Sequence, residues 1–366
     1  MESKNELIIL KEEEKNHKKQ KSEEKDKNFV EVLKKFSPGT AIRTAVDDIL
    51  RSRMGALIVI DCEGLSKITY GGFKVDSKFS SQKLVELAKM DGAIILSEGL
   101  KMILNANVFL SPKMGAKTKG TGARHKVAEM TAEHVGTIVV AVSERKNKIT
   151  LYYGDVVYEL EKSSEVLRRA AETLQILEKQ KEIFNDSINN LNILEINNLV
   201  TMSDVCDILQ RIEIIRRISE MVKRYLIELG REGLIVSMRL KELTRNLNKE
   251  RELILKDYFK IKSSKTDNLL KAMNFDLLIE TQNLSKVLFQ DVHDKALPSK
   301  GLRILSKVNI TGDQVKLLVN SFKTLSKIFT VDKNSLMKSL KDEKAVESLT
   351  HDLESVREKI MAGKVV

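Results

Sequence analysis

The stretch KGTGARHKVAEM, residues 119–130, joins three small turn-forming residues, Gly120, Thr121 and Gly122, to a helical pattern that opens on Arg124, His125 and Lys126. Glycines allow positive φ and let a backbone approach a ligand closely. Cationic side chains in a first helical turn oppose the helix dipole unless an anion is bound there, so phosphate is the first candidate. The pattern runs on through RHKVAEMTAEHV (Arg124–Val135) and is followed at once by TIVVAV (Thr137–Val142), an Ile/Val-rich run of strand length. A helix set between strands by a glycine-rich turn makes the region α/β. Outward from it, ALIVID (Ala56–Asp61), AIIL (Ala93–Leu96) and ITLYY (Ile149–Tyr153) read as further strands, and QKLVELAKM (Gln82–Met90) as a second helix. Most of the chain's glycines lie here. The expected architecture is a buried sheet covered by helices.

On either side the character changes. Residues 1–28 mix Lys and Glu with few apolar anchors, as a disordered charged extension would. The fold is expected to begin at FVEVLKKF (Phe29–Phe36), a helical pattern stopped by Ser37-Pro38-Gly39. Beyond Ser163 glycine nearly vanishes and helical periodicity takes over. Thr201 and Asp204 have capping-box spacing, Val205, Ile208, Ile212, Ile215, Val222, Leu226 and Leu229 form one apolar stripe, and Gly230 is a stop signal. No proline lies between Pro112 and Pro298, so long helices can run unbroken. Leu297-Pro298-Ser299 marks a second boundary, after which GLRILSKV, TGDQVKLLVNSF, KTLSKIF and VDKNSLMKSL read as short helices.

With 366 residues and 42% hydrophobic content the chain can bury more than one core. No apolar run approaches the ~18 residues of a membrane span, and the N-terminal stretch lacks a signal-peptide core, so the expected location is the cytoplasm with no membrane partner. Cys62 and Cys206 fit neither a disulfide framework nor a zinc pattern. The net charge of +11 and pI of about 9.3 favour anionic partners. Acidic residues are interleaved with the basic ones, however, and no continuous basic block forms.

Two spots carry candidate chemistry. Met90-Asp91-Gly92-Ala93 sits where a helical pattern gives way to a strand, and a carboxylate on such a turn can hold a metal or accept a proton. Read alone, it is equally a turn that uses Asp-Gly for its backbone angles. Arg124-His125-Lys126 is the second spot, and alone it reads as a solvated first turn as well. In order, spacing and flanks the two together resemble the diadenylate cyclase family, which carries an Asp-Gly-Ala motif and, after a Gly-Thr pair, an Arg-His-Arg motif. The chain has MDGAIIL and GTGARHKVAE. The likeness extends through LNANVFLSP (Leu104–Pro112), AVSERKN (Ala141–Asn147) and VTMSDVCDILQRIEIIRRISEMVKRYLIELGREG into the C-terminal module, and the whole resembles the DNA integrity scanning branch of that family.

The resemblance implies a multidomain α/β plus α protein, with a cyclase domain at 29–160, a helical spine at 161–296 and a helix-hairpin-helix-like domain at 297–366. It implies condensation of two ATP into cyclic di-AMP at sites facing across a two-fold axis, in an octamer. Asp91 would hold Mg²⁺ or Mn²⁺ and help activate the ribose hydroxyl. Gly92 would let the nucleotide approach, Leu110 would line its pocket, and Arg124, His125 and Lys126 would neutralise the triphosphate. Ala93, Ser143 and Arg145 complete the expected ATP site, with a strand-end turn as the other reading of the last two. The chain departs from the family pattern in three places. Lys126 stands for the second Arg, which keeps charge but loses a planar fork, and Ala123 and Val127 replace residues that often carry a hydroxyl.

The C-terminal module resembles helix-hairpin-helix DNA-binding units, which imply a DNA partner, branched DNA included. Asp342-Glu343-Lys344 replaces the glycine hairpin that would cradle a phosphate. Lys300, Arg303 and Lys307 remain as a basic stretch that reads either as DNA-facing or as a solvated helix face. The competing function is a DNA-scanning or scaffold protein with a nucleotide-binding but weakly active cyclase domain.

Overall fold

The computed structural model describes residues 28–113, 122–259, 263–289, 295–340 and 342–363. The expected charged extension therefore lies outside the described residues except for Asn28, which is already helical. The chain divides into two compact units. One is the described part of Met1–Ala171 together with Lys223–Ser237, and the other is Glu172–Val222 together with Met238–Val366.

In the first unit a helix over residues 28–35 (α1) ends before Pro38, and α2 (Ala41–Arg51) starts on Thr40, whose side chain caps it by accepting from Arg43 N–H. Then come β1 (Ala56–Ile60), β2 (Thr69–Tyr70), β3 (Phe73–Lys78), α3 (Ser81–Leu87), β4 (Ala93–Leu96), β5 (Met102–Leu110), α4 (Ala123–Val135), β6 (Ile138–Ser143), β7 (Lys148–Tyr153) and β8 (Val156–Leu160). The eight strands form one sheet in the order β2-β5-β4-β1-β6-β7-β8, with β3 also on β5. Only β1 and β4 are parallel. The four Ile/Val-rich runs are its centre, and the strands that periodicity did not mark are β2, β3, β5 and β8.

Side-chain alternation makes two cores. Ile58 and Ile60 of β1, Ile94 and Leu96 of β4, and Val140 and Val142 of β6 face a core closed by α1, α2 and α3, with Phe36 and Ile49 fully buried. Leu57 and Val59, Ala93 and Ile95, and Val139 and Ala141 face the other side, closed by Ala128 and Ala132 of α4. Burial on both faces is why these strands read as continuous apolar runs rather than as alternating ones.

The helices α5 (Ser163–Asn197) and α6 (Met202–Leu229) are the long unbroken elements that the missing prolines permit. The Thr201/Asp204 capping box forms: Thr201 N–H donates to the Asp204 carboxylate at 2.8 Å, and Asp204 N–H to the Thr201 hydroxyl at 3.4 Å. Helix α6 stops at Leu229 because Gly230 turns to φ +52, and a Cβ there would come 2.6 Å from Ser37 Oγ.

The second unit continues with α7 (Leu234–Leu243), which begins in the first unit, then α8 (Leu247–Tyr258), α9 (Ser263–Ala272), α10 (Phe275–Ile279) and α11 (Thr281–Phe289). Leu297 N–H donates to Val200 O and Met202 N–H to Lys295 O, so the segment around Pro298 is tied to the α5–α6 turn. The last module is α12 (Leu302–Leu305), α13 (Gly312–Phe322), α14 (Leu325–Thr330), α15 (Lys333–Leu340) and α16 (Glu343–Met361) around its own core.

Candidate active site

Strand register sets the site. Leu57 pairs with Ala93 across β1 and β4, and Ala56 with Val142 across β1 and β6. Continued to the strand ends, these registers bring Asp91, Gly55 and Ser143 level at one end of the sheet. Arg124 reaches the same place, since a Cβ on Gly55 would overlap its guanidinium. Gly55 escapes a reading of the sequence because its role exists only once strands and helix are in register. Gly92 turns at φ +90 and lies so close to β5 that a Cβ would meet Asn107 C at 2.9 Å. The close approach this glycine allows here is to β5.

Among the described residues no side chain caps the start of helix α4. Its N-cap, Gly122, has φ +110 and no side chain to offer, the first turn holds no acidic residue, and Arg124, His125 and Lys126 occupy that turn. Among the described residues no side chain pairs with the first amide N–H groups, and the cations Arg124 and Lys126 add to the positive field there. Among the described residues neither Arg124 nor Lys126 has a carboxylate partner, and both are exposed. The β6–β7 turn completes the wall: Ser143 Oγ accepts from Lys146 N–H at 3.4 Å, and Asn147 closes the turn at φ +50. Gly122, Ala123, Arg124 and His125 on one side and Ser143, Glu144, Arg145 and Lys146 on the other line an open cleft of about 610 Å³. Five of the expected site residues, Ala123, Arg124, His125, Ser143 and Arg145, meet there.

The others lie around it. Asp91 is exposed in the α3–β4 turn. Lys126 projects from the same helix start. Ala93 and Leu110, expected at the nucleotide, are buried in the α4-side core, as is much of Val127.

His125 is the buried member of the cleft. Its Nδ1 lies 2.8 Å from the Tyr152 hydroxyl, and its Nε2 is buried without a hydrogen-bond partner among the described residues. Burial, then the cations Lys146 and Arg124, hold the imidazole below its ordinary pKa against a weaker pull from Glu159. Burial pushes the Tyr152 hydroxyl up to about 12. Tyr152 was invisible in the sequence as anything but a strand aromatic. Its position opposite the start of α4 is the missing signal.

The expected DNA-facing stretch is corrected by the second unit. Arg303 is fully buried, donating from Nη2 to Glu195 Oε2 at 2.6 Å, and Tyr258 OH donates to the same carboxylate. Asp257 accepts from Leu302 N–H at 2.8 Å and Arg303 N–H at 2.9 Å. Burial, and then Arg303, hold the Lys307 ammonium below the ordinary lysine range. Lys300 Nζ donates to Lys256 O. The replaced hairpin is equally committed: Asp342 is the N-cap of α16 and accepts from Ala345 N–H at 3.2 Å.

Residues 43–157 match the family described as "DisA bacterial checkpoint controller nucleotide-binding", and residues 160–296 the "DisA bacterial checkpoint controller linker region". The DNA integrity scanning protein DisA of Clostridium acetobutylicum is 39% identical over 321 residues, 86% of this chain and 90% of that protein. The protein of the same name from Clostridioides difficile is 40% identical over 312 residues, 83% of this chain and 87% of that one. Among solved structures, a double-mutant DacA from Staphylococcus aureus is 26% identical, covers 39% of this chain and 95% of that one, and has a TM-score of 0.30.

Proposed function

This chain belongs to the family of the DNA integrity scanning protein DisA, and on that premise we propose that it is a diadenylate cyclase, condensing two ATP into cyclic di-AMP with release of two pyrophosphates. The observation that carries the reading is the uncapped start of α4, where Arg124, His125 and Lys126 open a cleft of about 610 Å³. A triphosphate is the polyanion that such a helix start lacks.

In each half of the reaction the 3′-hydroxyl oxygen of one ATP bonds to the α-phosphorus of the other. The bond from that phosphorus to its bridging oxygen breaks, pyrophosphate leaves with the electron pair, and the hydroxyl proton passes to solvent. Little covalent work falls to the protein, so positioning and charge stabilisation dominate. Arg124 and Lys126 neutralise phosphate oxygens. His125, uncharged near neutrality, donates from a ring nitrogen, and Ser143 and Arg145 hold the nucleotide from the β6–β7 turn. Asp91 is the residue to hold Mg²⁺ or Mn²⁺. One exposed carboxylate suits an ion whose remaining ligands are phosphate oxygens and water, and no described group of three or more His, Cys, Asp or Glu offers a dedicated cage. The ion supplies charge neutralisation at the phosphates.

Two riboses attacking two phosphates require two sites face to face about a two-fold axis. Asp91 stands at the same sheet end as the cleft yet outside its lining, and a facing copy lets both act on one nucleotide. An octamer, a cytoplasmic setting where ATP is available, and weak DNA engagement by the C-terminal module complete the reading. No described helix is long and apolar enough to cross a membrane. The test is purified protein with ATP and Mn²⁺ or Mg²⁺, read by mass spectrometry. Cyclic di-AMP is the expected product, and ATP bound without turnover would move the chain to the scaffold reading.

A further inference from the structure

Behind His125 lies a buried phenol that the reaction above leaves without a role. Tyr152 lies on β7, is buried, and holds its hydroxyl 2.8 Å from His125 Nδ1. A phenol has one proton. Held protonated by burial, Tyr152 has that proton to donate, and the acceptor 2.8 Å away is His125 Nδ1. An imidazole that accepts at Nδ1 carries its proton on Nε2, and Nε2 is the buried nitrogen without a partner among the described residues, on a ring that lines the cleft. A buried donor with nothing to donate to is costly, and here a ligand oxygen in the cleft relieves it.

We propose that Tyr152 is a positioning residue that fixes the ring and tautomer of His125 so that Nε2–H points a donor at a nucleotide phosphate. The inference rests on the cyclase reading of the cleft, and the mechanism is the one by which any functional histidine is set by the hydrogen bond at its other nitrogen. It also explains why a tyrosine is buried at this place, since phenylalanine would fill the same space without steering the ring.

The experiment compares full-length wild type, Tyr152→Phe, His125→Ala and the double variant for cyclic di-AMP formation, with a thermal melt on each. Tyr152→Phe is expected to lower kcat roughly tenfold, the low end of what losing the partner behind a functional histidine costs. KM for ATP should stay within about twofold, because the donor matters most as charge builds in the transition state. In the His125→Ala background the same change should have no further effect, since Tyr152 acts through that ring. Nitrogen spectra of sedimented, ¹⁵N-histidine-labelled protein give a readout that does not need turnover. With five histidines in the chain, the His125 signal is the one missing from His125→Ala. Wild type should show a single Nε2–H tautomer and Tyr152→Phe a mixture. Unchanged kcat in Tyr152→Phe, an equal loss in both backgrounds, or an unchanged tautomer each overturns the proposal. If wild type makes no cyclic di-AMP, the cyclase reading falls by itself, while the spectra still decide the relay. Should Tyr152→Phe lose its melting transition, the wild-type spectra decide alone, and a His125 ring that carries its proton on Nδ1 overturns the proposal.

Discussion

At the scale of single residues, the site divides into side chains the structure leaves exposed and one that it buries. Asp91 is exposed on a turn and packs against no core, so Asp91→Asn should leave the melting temperature unchanged and abolish cyclic di-AMP synthesis. A folded Asp91→Asn protein with near-normal product would remove Asp91 from the site. Lys126 is exposed in the first turn of α4, where a guanidinium can engage two phosphate oxygens and an ammonium acts as a point charge. Lys126→Arg is therefore expected to keep or raise kcat. A fall of about tenfold, on the order of 1.4 kcal/mol in the barrier, would mean the cleft is fitted to lysine. The basic triplet and the Ser143–Lys146 turn were legible in the sequence because each is contiguous and breaks a local rule, cations in a first helical turn or a charged run at a strand end. Tyr152 and Gly55 break no local rule: an aromatic in a strand and a glycine before one are ordinary until register puts them against His125 and Arg124.

At the scale of elements, legibility follows burial. β1, β4 and β6 are covered on both faces and announce themselves as Ile/Val runs, and β7 is nearly as closed. β3, FKVDSK, has no buried residue, β8, VVYEL, alternates half-buried with exposed, and β2 has two residues, so hydrophobic pattern had little to mark. β5 is long, yet its two asparagines and a bulged register against β4 hide it. The long helices α5 and α6 were readable from the absence of Pro and Gly. What the sequence misdirects is Arg303, a basic residue near the start of a short helix that the fold buries as the partner of Glu195. Arg303→Met should accordingly act on folding. It leaves the Glu195 carboxylate enclosed and without its counter-charge, at a cost of about 3–5 kcal/mol. Urea unfolding of the full chain measures this, and a variant as stable as wild type would show that Glu195 finds another partner.

At the scale of the whole molecule, the proposed pair of facing nucleotide sites would make assembly part of catalysis. Specific activity should fall on dilution through the range where light scattering sees the oligomer dissociate, and a monomer that makes cyclic di-AMP would end the face-to-face account. DNA is expected to bind weakly, with an affinity that drops steeply with salt. Tight binding at physiological salt that is lost on deleting residues 301–366 would reverse that expectation. The caps of the last module give the reason in kinetic and concentration terms. The amides that start α12 are held by Asp257, those of α13 by Thr311 and Gln314, and those of α16 by Asp342. Thr311, Gln314 and Asp342 are tethered competitors at an effective concentration on the order of millimolar or more, since a short covalent link keeps each beside its target, and Asp257 is held at its target by the fold. A DNA phosphate arriving at such a helix start has to evict a group that never diffuses away, and it gains only the difference between two similar contacts. At these three helix starts the amides that a phosphate would seek already have a partner within the chain, whereas α14 starts without a side-chain cap. Replacing the tethered carboxylate, as in Asp342→Gly, is the change that would vacate one of them.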